Sequence, residues 1–247
     1  MPYRKFKAEC ATEIARQGAD TSFRQLSQDW MNKAETLRYT YHFEWLGRPI
    51  IQFPQDMVMV QELVWTVRPD LIIETGIAHG GSLIYSASLL ELCALCGGPA
   101  GARVLGIDID IRAHNRQAII DHPLSRRIDM IEGSSIDDAV VAEAAKAAAR
   151  HERVMVLLDS NHTHAHVLAE LCAYGPLVTP GSYCVVFDTA IAHSDADFSD
   201  RPWNRNDNPL TAVRAFLATR DDFEVDAAID ARLGISEAPG GYLKRVK

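Results

Sequence analysis

Leu71-Ile72-Ile73-Glu74-Thr75-Gly76-Ile77-Ala78-His79-Gly80-Gly81-Ser82 is the stretch whose reading decides the fold. An apolar run ends in an acid, turns through glycine, and passes into small residues that open a helix. This pattern predicts a buried parallel strand that delivers its C-terminal edge to a ligand. The Gly80-Gly81-Ser82 segment lets a helix N-terminus and bare backbone N–H groups approach that ligand. Open α/β sheets bind their ligands there, beyond the carboxyl ends of the strands. The spacing is G-x-x-x-G-G, so the dinucleotide fingerprint G-x-G-x-x-G is absent.

Downstream, the same strand-then-helix grammar repeats. Strands are expected at Arg103–Ile109, Arg127–Ile131, Val154–Leu158 and Tyr183–Phe187. Helices follow over about Ser82–Leu95, Arg112–Ile120, the Ala-rich stretch to Arg150, and a segment containing His166–Leu171. Ser135 is the expected N-cap of the Ala-rich helix, with Asp137 and Asp138 in its first turn. Five such units imply a doubly wound, mostly parallel sheet with right-handed crossovers. Glu74, Asp108, Gly133, Asp159 and Asp188 close the five strands. A strand needs no acid at its end for stability, so this edge concentrates ligand chemistry.

Upstream, Pro54 starts a helix that runs to about Val67, where Pro69 stops it. Residues 1–46 read as an amphipathic helical extension, with Phe23, Leu26, Trp30, Met31 and Leu37 at helical spacing. Tyr39, Tyr41, Phe43 and Trp45 alternate, which predicts one extended aromatic face. Residues 189–209 form a long loop rich in turn formers, and Trp203 within it favours a lid. A helix of about Leu210–Thr219 follows. The tail Phe223–Lys247 reads as two strands joined through Gly234 and Pro239-Gly240-Gly241, an antiparallel hairpin at the sheet edge. The division expected is 1–46 as extension and 47–247 as the main domain.

A chain of 247 residues, 47% hydrophobic and 23% charged, buries a sizeable core without staples. Its net charge of −8, with no basic stripe, excludes a general binder of nucleic-acid backbone. Cys10, Cys93, Cys96, Cys172 and Cys184 lack a paired framework and fit a reducing compartment. No secretory signal or membrane-length apolar run occurs, so a cytoplasmic protein is expected.

Two consecutive terminal strands after five βα units suit the S-adenosylmethionine-dependent methyltransferase sheet. Several runs together resemble the cephalosporin hydroxylase family over about residues 40–247. They are Gly47–Asp56, Ile73–Ser82, Gly106-Ile107-Asp108-Ile109-Asp110, Leu158-Asp159-Ser160-Asn161-His162-Thr163 and Val186-Phe187-Asp188-Thr189. Arg201-Pro202-Trp203, Asn208-Pro209 and Gly241-Tyr242-Leu243-Lys244-Arg245 continue them. Despite the family's name, the resemblance implies a class I methyltransferase fold that binds S-adenosylmethionine, in some members with Mg²⁺. Relatives methylate hydroxyls of sugars, lipids or secondary metabolites.

By that resemblance Gly76, His79, Gly80, Gly81 and Ser82, at the end of the strand closed by Glu74, wrap the methionine moiety. Asp108 accepts both ribose hydroxyls, Ser134 and Ser135 border the adenine, and Asp159 faces the sulfonium and the metal. Many relatives close the fifth strand with a Glu-Asp pair. Here Phe187-Asp188 stands in its place, leaving Asp159 and Asp188 as the metal carboxylates. A hydroxyl nucleophile needs a base or a metal, because the methyl donor is already activated. His162, three residues after Asp159, is the first choice of base, with His164, His166 and His193 behind it. The tract His162-x-His164-x-His166 cannot point one way from a helix start. Homo-oligomerisation through the N-terminal helices is expected. The competing readings are a cofactor-binding scaffold without catalysis and an iron- and 2-oxoglutarate-dependent hydroxylase, whose two-His-one-carboxylate triad normally sits on a jelly roll.

Overall fold

The computed structural model describes residues 2–247. Its centre is β3 (Leu71–Thr75), buried along its whole length between two parallel neighbours. On one side lie β4 (Arg103–Asp108) and β5 (Ile128–Glu132); on the other lie β6 (Val154–Leu158) and β7 (Tyr183–Val186). With β8 (Phe223–Val225) and β9 (Tyr242–Arg245) at the far edge, the strand order β5-β4-β3-β6-β7-β9-β8 turns back at β3, so a crevice opens between the carboxyl ends of β3 and β6. Gly76 and Asp159 leave those two strands in such close contact that a Cβ on Gly76 would overlap the Asp159 carbonyl.

Helices cover both faces. One core packs α3 (Pro54–Val67) and α4 (Gly81–Leu95) on the sheet through Val60, Val64, Leu83, Ile84, Ala87 and Leu90. The opposite core joins α6 (Asp138–Ala148), α7 (His164–Tyr174) and α8 (Pro209–Leu217) through Ala144, Leu171, Tyr174, Val213 and Phe216. Each fully buried aliphatic or aromatic side chain here contributes about 1.5–3 kcal/mol. A shorter helix, α5 (Ala113–Ile120), backs the glycine turn through Ile119 and Asn115. The doubly wound sheet and its helices are those the strand-helix grammar predicts.

The tail differs in one respect. β8 (Phe223–Val225) and β9 (Tyr242–Arg245) are antiparallel, but they are not joined as a simple hairpin. A short helix, α9 (Ala227–Leu233), lies between them, and β9 inserts between β7 and β8. The insertion lets Ile229 of α9 enter the first core.

The extension also departs from its simplest reading. Helix α1 (Pro2–Ala19) and helix α2 (Thr21–Thr36) are joined at Asp20, whose carboxylate accepts from the N–H groups of Ser22 and Phe23. The side chain of Gln17 donates to the carbonyls of Ala231 and Arg232, which ties α1 to α9. Tyr39–His42 is a 3₁₀ turn rather than extended chain, and only Phe43–Trp45 forms a strand, β1. Arg38 adopts a left-handed conformation at the end of α2, and Tyr39 stacks on Phe53 and meets the edge of Trp30. Aromatic packing in three dimensions therefore replaces the single face that alternation suggests. β1 pairs with β2 (Arg48–Ile50) across Leu46-Gly47, both with positive φ, as a tight hairpin turn demands.

Candidate active site

The β3–α4 turn is held from three sides. Asp108 Oδ2, at the end of β4, accepts from the N–H groups of Ile77 (2.7 Å) and Ala78 (3.3 Å). Arg48, from β2, donates to the His79 carbonyl and to Asn115 Oδ1, and Asn115 Nδ2 donates to the Ala78 carbonyl. These bonds fix a non-glycine residue, Ala78, at φ +44°, a conformation that persists only where the surroundings over-determine it. Gly81 sits so close to the Pro49 carbonyl that no side chain fits. Arg48 belongs to the Gly47–Asp56 run but has no role assigned from sequence, and Asn115 carries no local motif.

Below this turn, Glu74 is buried and accepts from Ser86 Oγ. Burial pushes its carboxyl up to about 7 against those hydrogen bonds. Ser135 is not the N-cap expected of it; that position is Asp137, and Ser135 is buried instead. Its hydroxyl lies 3.0 Å from His166 Nε2, and its carbonyl accepts from Tyr174 Oη. Tertiary partners on α7 have displaced the local cap.

A cavity of about 710 Å³ opens over the crevice. Gly76, His79, Gly81, Ser82, Asp159, His162 and Asp188 all line it. Glu74 and Gly80 support the turn from beneath and behind, while Asp108, Ser134 and Ser135 lie along the same sheet edge outside the cavity wall. The far wall is α2 with the following turn (Asn32, Glu35, Arg38, Tyr39), faced by Phe198 and Trp203 of the long loop.

The chemistry-bearing groups cluster at the strand ends. Ligand atoms of Asp159, His162 and Asp188 lie within 4.8 Å of one another, and His162 Nδ1 is 3.5 Å from Asp188 Oδ2. Burial and then the adjacent Asp188 carboxylate push Asp159 well above the usual carboxylate range. Asp188 itself has φ +57°, which costs about 1–2 kcal/mol for an L-residue. An Asx turn, in which Asn161 Oδ1 accepts from Thr163, fixes the loop carrying His162, and Trp203 meets its ring edge-on at 4.6 Å between centroids. The three tract histidines point apart: His162 into the cavity, His164 to Thr211, His166 to Ser135 and Ser160. His193 is outside the cavity wall, and burial, aided by Arg214 and Arg205, lowers its pKa.

One further acid reaches the cavity. Glu237 comes from the segment before β9, and burial plus repulsion from Asp188, Asp56 and Asp159 raises its pKa well above normal. Its backbone N–H donates to Asp56 Oδ2 at 2.8 Å. Asp56 also accepts from Ser236 Oγ and Tyr242 Oη, both at 2.6 Å, and burial pushes its carboxyl up to about 6. The two carboxylates of this trio are hard oxygen donors of the kind that suit Mg²⁺, and the set has one imidazole where an iron triad wants two imidazoles and one carboxylate.

The long loop is fastened at both ends. Ser194 Oγ donates to Glu35 Oε2 at 2.5 Å, and Asn32 Nδ2 donates to Asp195 Oδ2 at 2.7 Å. Beyond Trp203, Asp207 accepts from the His164 N–H, and Asn208 caps α8 with Thr211 in a reciprocal box.

A doubly wound seven-stranded sheet ending in an antiparallel pair is the class I methyltransferase fold. Residues 37–246 match the family described as Rhamnosyl O-methyltransferase/CmcI, and the chain belongs to that family. It is similar to the rhamnosyl O-methyltransferase of Mycobacterium tuberculosis, 30% identical over 194 residues that cover 77% of this chain and 73% of the relative. Its likeness to the protein of that name from Mycobacterium leprae is 28% over 207 residues, covering 81% and 82%. Among solved structures, CmcI without ligand shares the fold at a TM-score of 0.58 and 20% identity, over 84% of this chain and 77% of that one. CmcI with Mg and SAM gives 0.56 and 21%, over 84% and 78%.

Proposed function

We propose that the protein transfers a methyl group from S-adenosylmethionine to a hydroxyl of a sugar, glycolipid, polysaccharide or natural product, with residues 47–247 as the methyltransferase domain. The observation that carries this reading is the single cavity in which the glycine turn of β3–α4 faces Asp159, His162 and Asp188. The names of the curated relatives favour a sugar acceptor.

The bound cofactor supplies an already activated methyl group, so the protein's task is alignment and proton removal. Gly81 and Ser82 present their backbone N–H groups at the α4 N-terminus to the methionine carboxylate, while Gly76 and Gly80 donate theirs to the Ile107 and Ile77 carbonyls and so shape the turn. His79 belongs to the same turn, with Glu74 beneath it. Asp108 keeps lone pairs for the ribose hydroxyls besides those that hold the turn, and Ser134 and Ser135 border the adenine. Asp159 and Asp188 would hold Mg²⁺, which when bound would supply Lewis acidity toward the acceptor hydroxyl. His162 takes that proton on the ring, and Asp188 beside Nδ1 stabilises the imidazolium.

Calorimetry with S-adenosylhomocysteine and transfer of labelled methyl to rhamnosides and other glycosides test the proposal. Binding that disappears in Asp108→Ala, with methylated glycoside as product, is the expected result. A folded protein that binds no S-adenosylhomocysteine overturns it.

No described helix is long and apolar enough to cross a membrane. Tyr3, Phe6, Leu26 and Leu37 are exposed apolar side chains on or just after α1 and α2. They support self-association through the extension, which light scattering of a chain lacking residues 2–19 would reveal as a change in mass.

A further inference from the structure

We infer that Glu237 is the third carboxylate of the divalent-cation site, serving the place that Phe187 leaves without an acid. The inference rests on the metal-assisted reading above.

Phe187 is buried in the first core and gives nothing to the cavity. Two carboxylates, Asp159 and Asp188, then remain for a divalent ion at the ends of β6 and β7, with the His162 imidazole beside them. Mg²⁺ keeps several of its waters when bound, and those waters need acceptors around them. Glu237 is the remaining acid of the cavity wall near Asp159 and Asp188, and its carboxylate takes no hydrogen bond among the described residues. It comes from a segment far away in sequence, yet that segment is positioned from two directions. Asp56, at the start of α3, holds Ser236, Glu237 and Tyr242 through three hydrogen bonds. The Glu237 carbonyl accepts from the Ala190 N–H, two residues after Asp188. The same anchor therefore fixes Glu237 relative to both strand ends.

A buried carboxylate is costly unless it is paired. Holding a second one, Asp56, in the interior to position an unpaired third has a physical rationale if a cation completes the set. Glu237 lies outside the closest trio, so it acts by accepting hydrogen bonds from water on the ion, a role whose loss costs about 10–100-fold in metal affinity.

Mn²⁺ titration followed by electron paramagnetic resonance tests this on the full chain, with S-adenosylhomocysteine calorimetry and thermal midpoint measured in parallel. Glu237→Gln is expected to weaken Mn²⁺ binding about 10–100-fold while leaving cofactor affinity unchanged. Glu237→Asp keeps the charge and should recover part of the loss. Glu224→Gln, an exposed acid on β8, should bind Mn²⁺ like the unmodified chain. Mn²⁺ affinity of Glu237→Gln within twofold of the unmodified chain overturns the inference, as does an equal loss in Glu224→Gln. An unmodified chain that binds S-adenosylhomocysteine but no Mn²⁺ removes the metal reading and this inference with it, leaving the methyl-donor reading intact. Should Glu237→Gln lower the thermal midpoint, Glu237→Asp carries the comparison.

Discussion

The two walls of the cavity are built on different principles. The wall from Gly76 to Ser82 is backbone: its shape comes from positive-φ positions and from glycines pressed against the Asp159 and Pro49 carbonyls. The opposite wall is side chain: α2 and the 194–203 loop meet through the Glu35–Ser194 and Asn32–Asp195 hydrogen bonds. A backbone wall tolerates almost no substitution, whereas a side-chain wall is retuned by single replacements; under the proposed function the first would hold the constant methyl donor and the second the acceptor.

The contrast is most exposed to failure at Gly76. Gly76→Ala places a Cβ on the Asp159 carbonyl at a positive φ. Loss of several kcal/mol, on the order of 3 or more, is expected. S-adenosylhomocysteine binding should be abolished; a normal melting curve and normal affinity would break the backbone account. His162→Ala comes next, with a drop in kcat of about 10²–10⁴ and unchanged cofactor affinity, read from initial rates and calorimetry. An equal loss of cofactor binding would place His162 in the donor wall.

The third prediction concerns pH. The folded-state pKa of Glu74 is raised to about 7 from 4.5, so the native state binds the proton more tightly than the unfolded chain does. Its contribution to stability is complete below pH 4.5 and is lost as pH rises through 7. The loss totals about 3 kcal/mol at 1.36 kcal/mol per pH unit. Glu74→Gln should flatten urea-derived stability over that window; an unchanged slope would remove Glu74 as its source. The smallest effect is at the side-chain wall. Glu35→Ala removes one hydrogen bond to the loop, worth about 0.5–1.5 kcal/mol, and should raise the acceptor KM about two- to tenfold with no change in cofactor affinity. A change confined to the cofactor would merge the two walls.

The parallel strands were legible because each is an apolar run closed by a polar residue, and a buried strand leaves that signature in any order of neighbours. Helix α3 was legible from Pro54 to Val67 for the same local reason. The errors fell where tertiary contacts outbid local preference. Ser135 looks like an N-cap until His166 and Tyr174 claim it. The Tyr39–Trp45 alternation yields to packing in which Tyr39 stacks on Phe53 and meets the edge of Trp30. Helix α9 is a weak helical stretch stabilised by Ile229 in the core and by contact with α1.

The sequence by itself determined which groups share a sheet edge: a βα-repeating chain with glycines after β3 and acids after its neighbours places them together through chain chirality alone. Which acids meet across the cavity was decided only by tertiary structure. Glu237 lines the same cavity as Asp188 because β9 inserts beside β7 and Asp56 holds the preceding segment. Both are long-range pairings with no local periodicity, and local periodicity is the signal a single sequence displays.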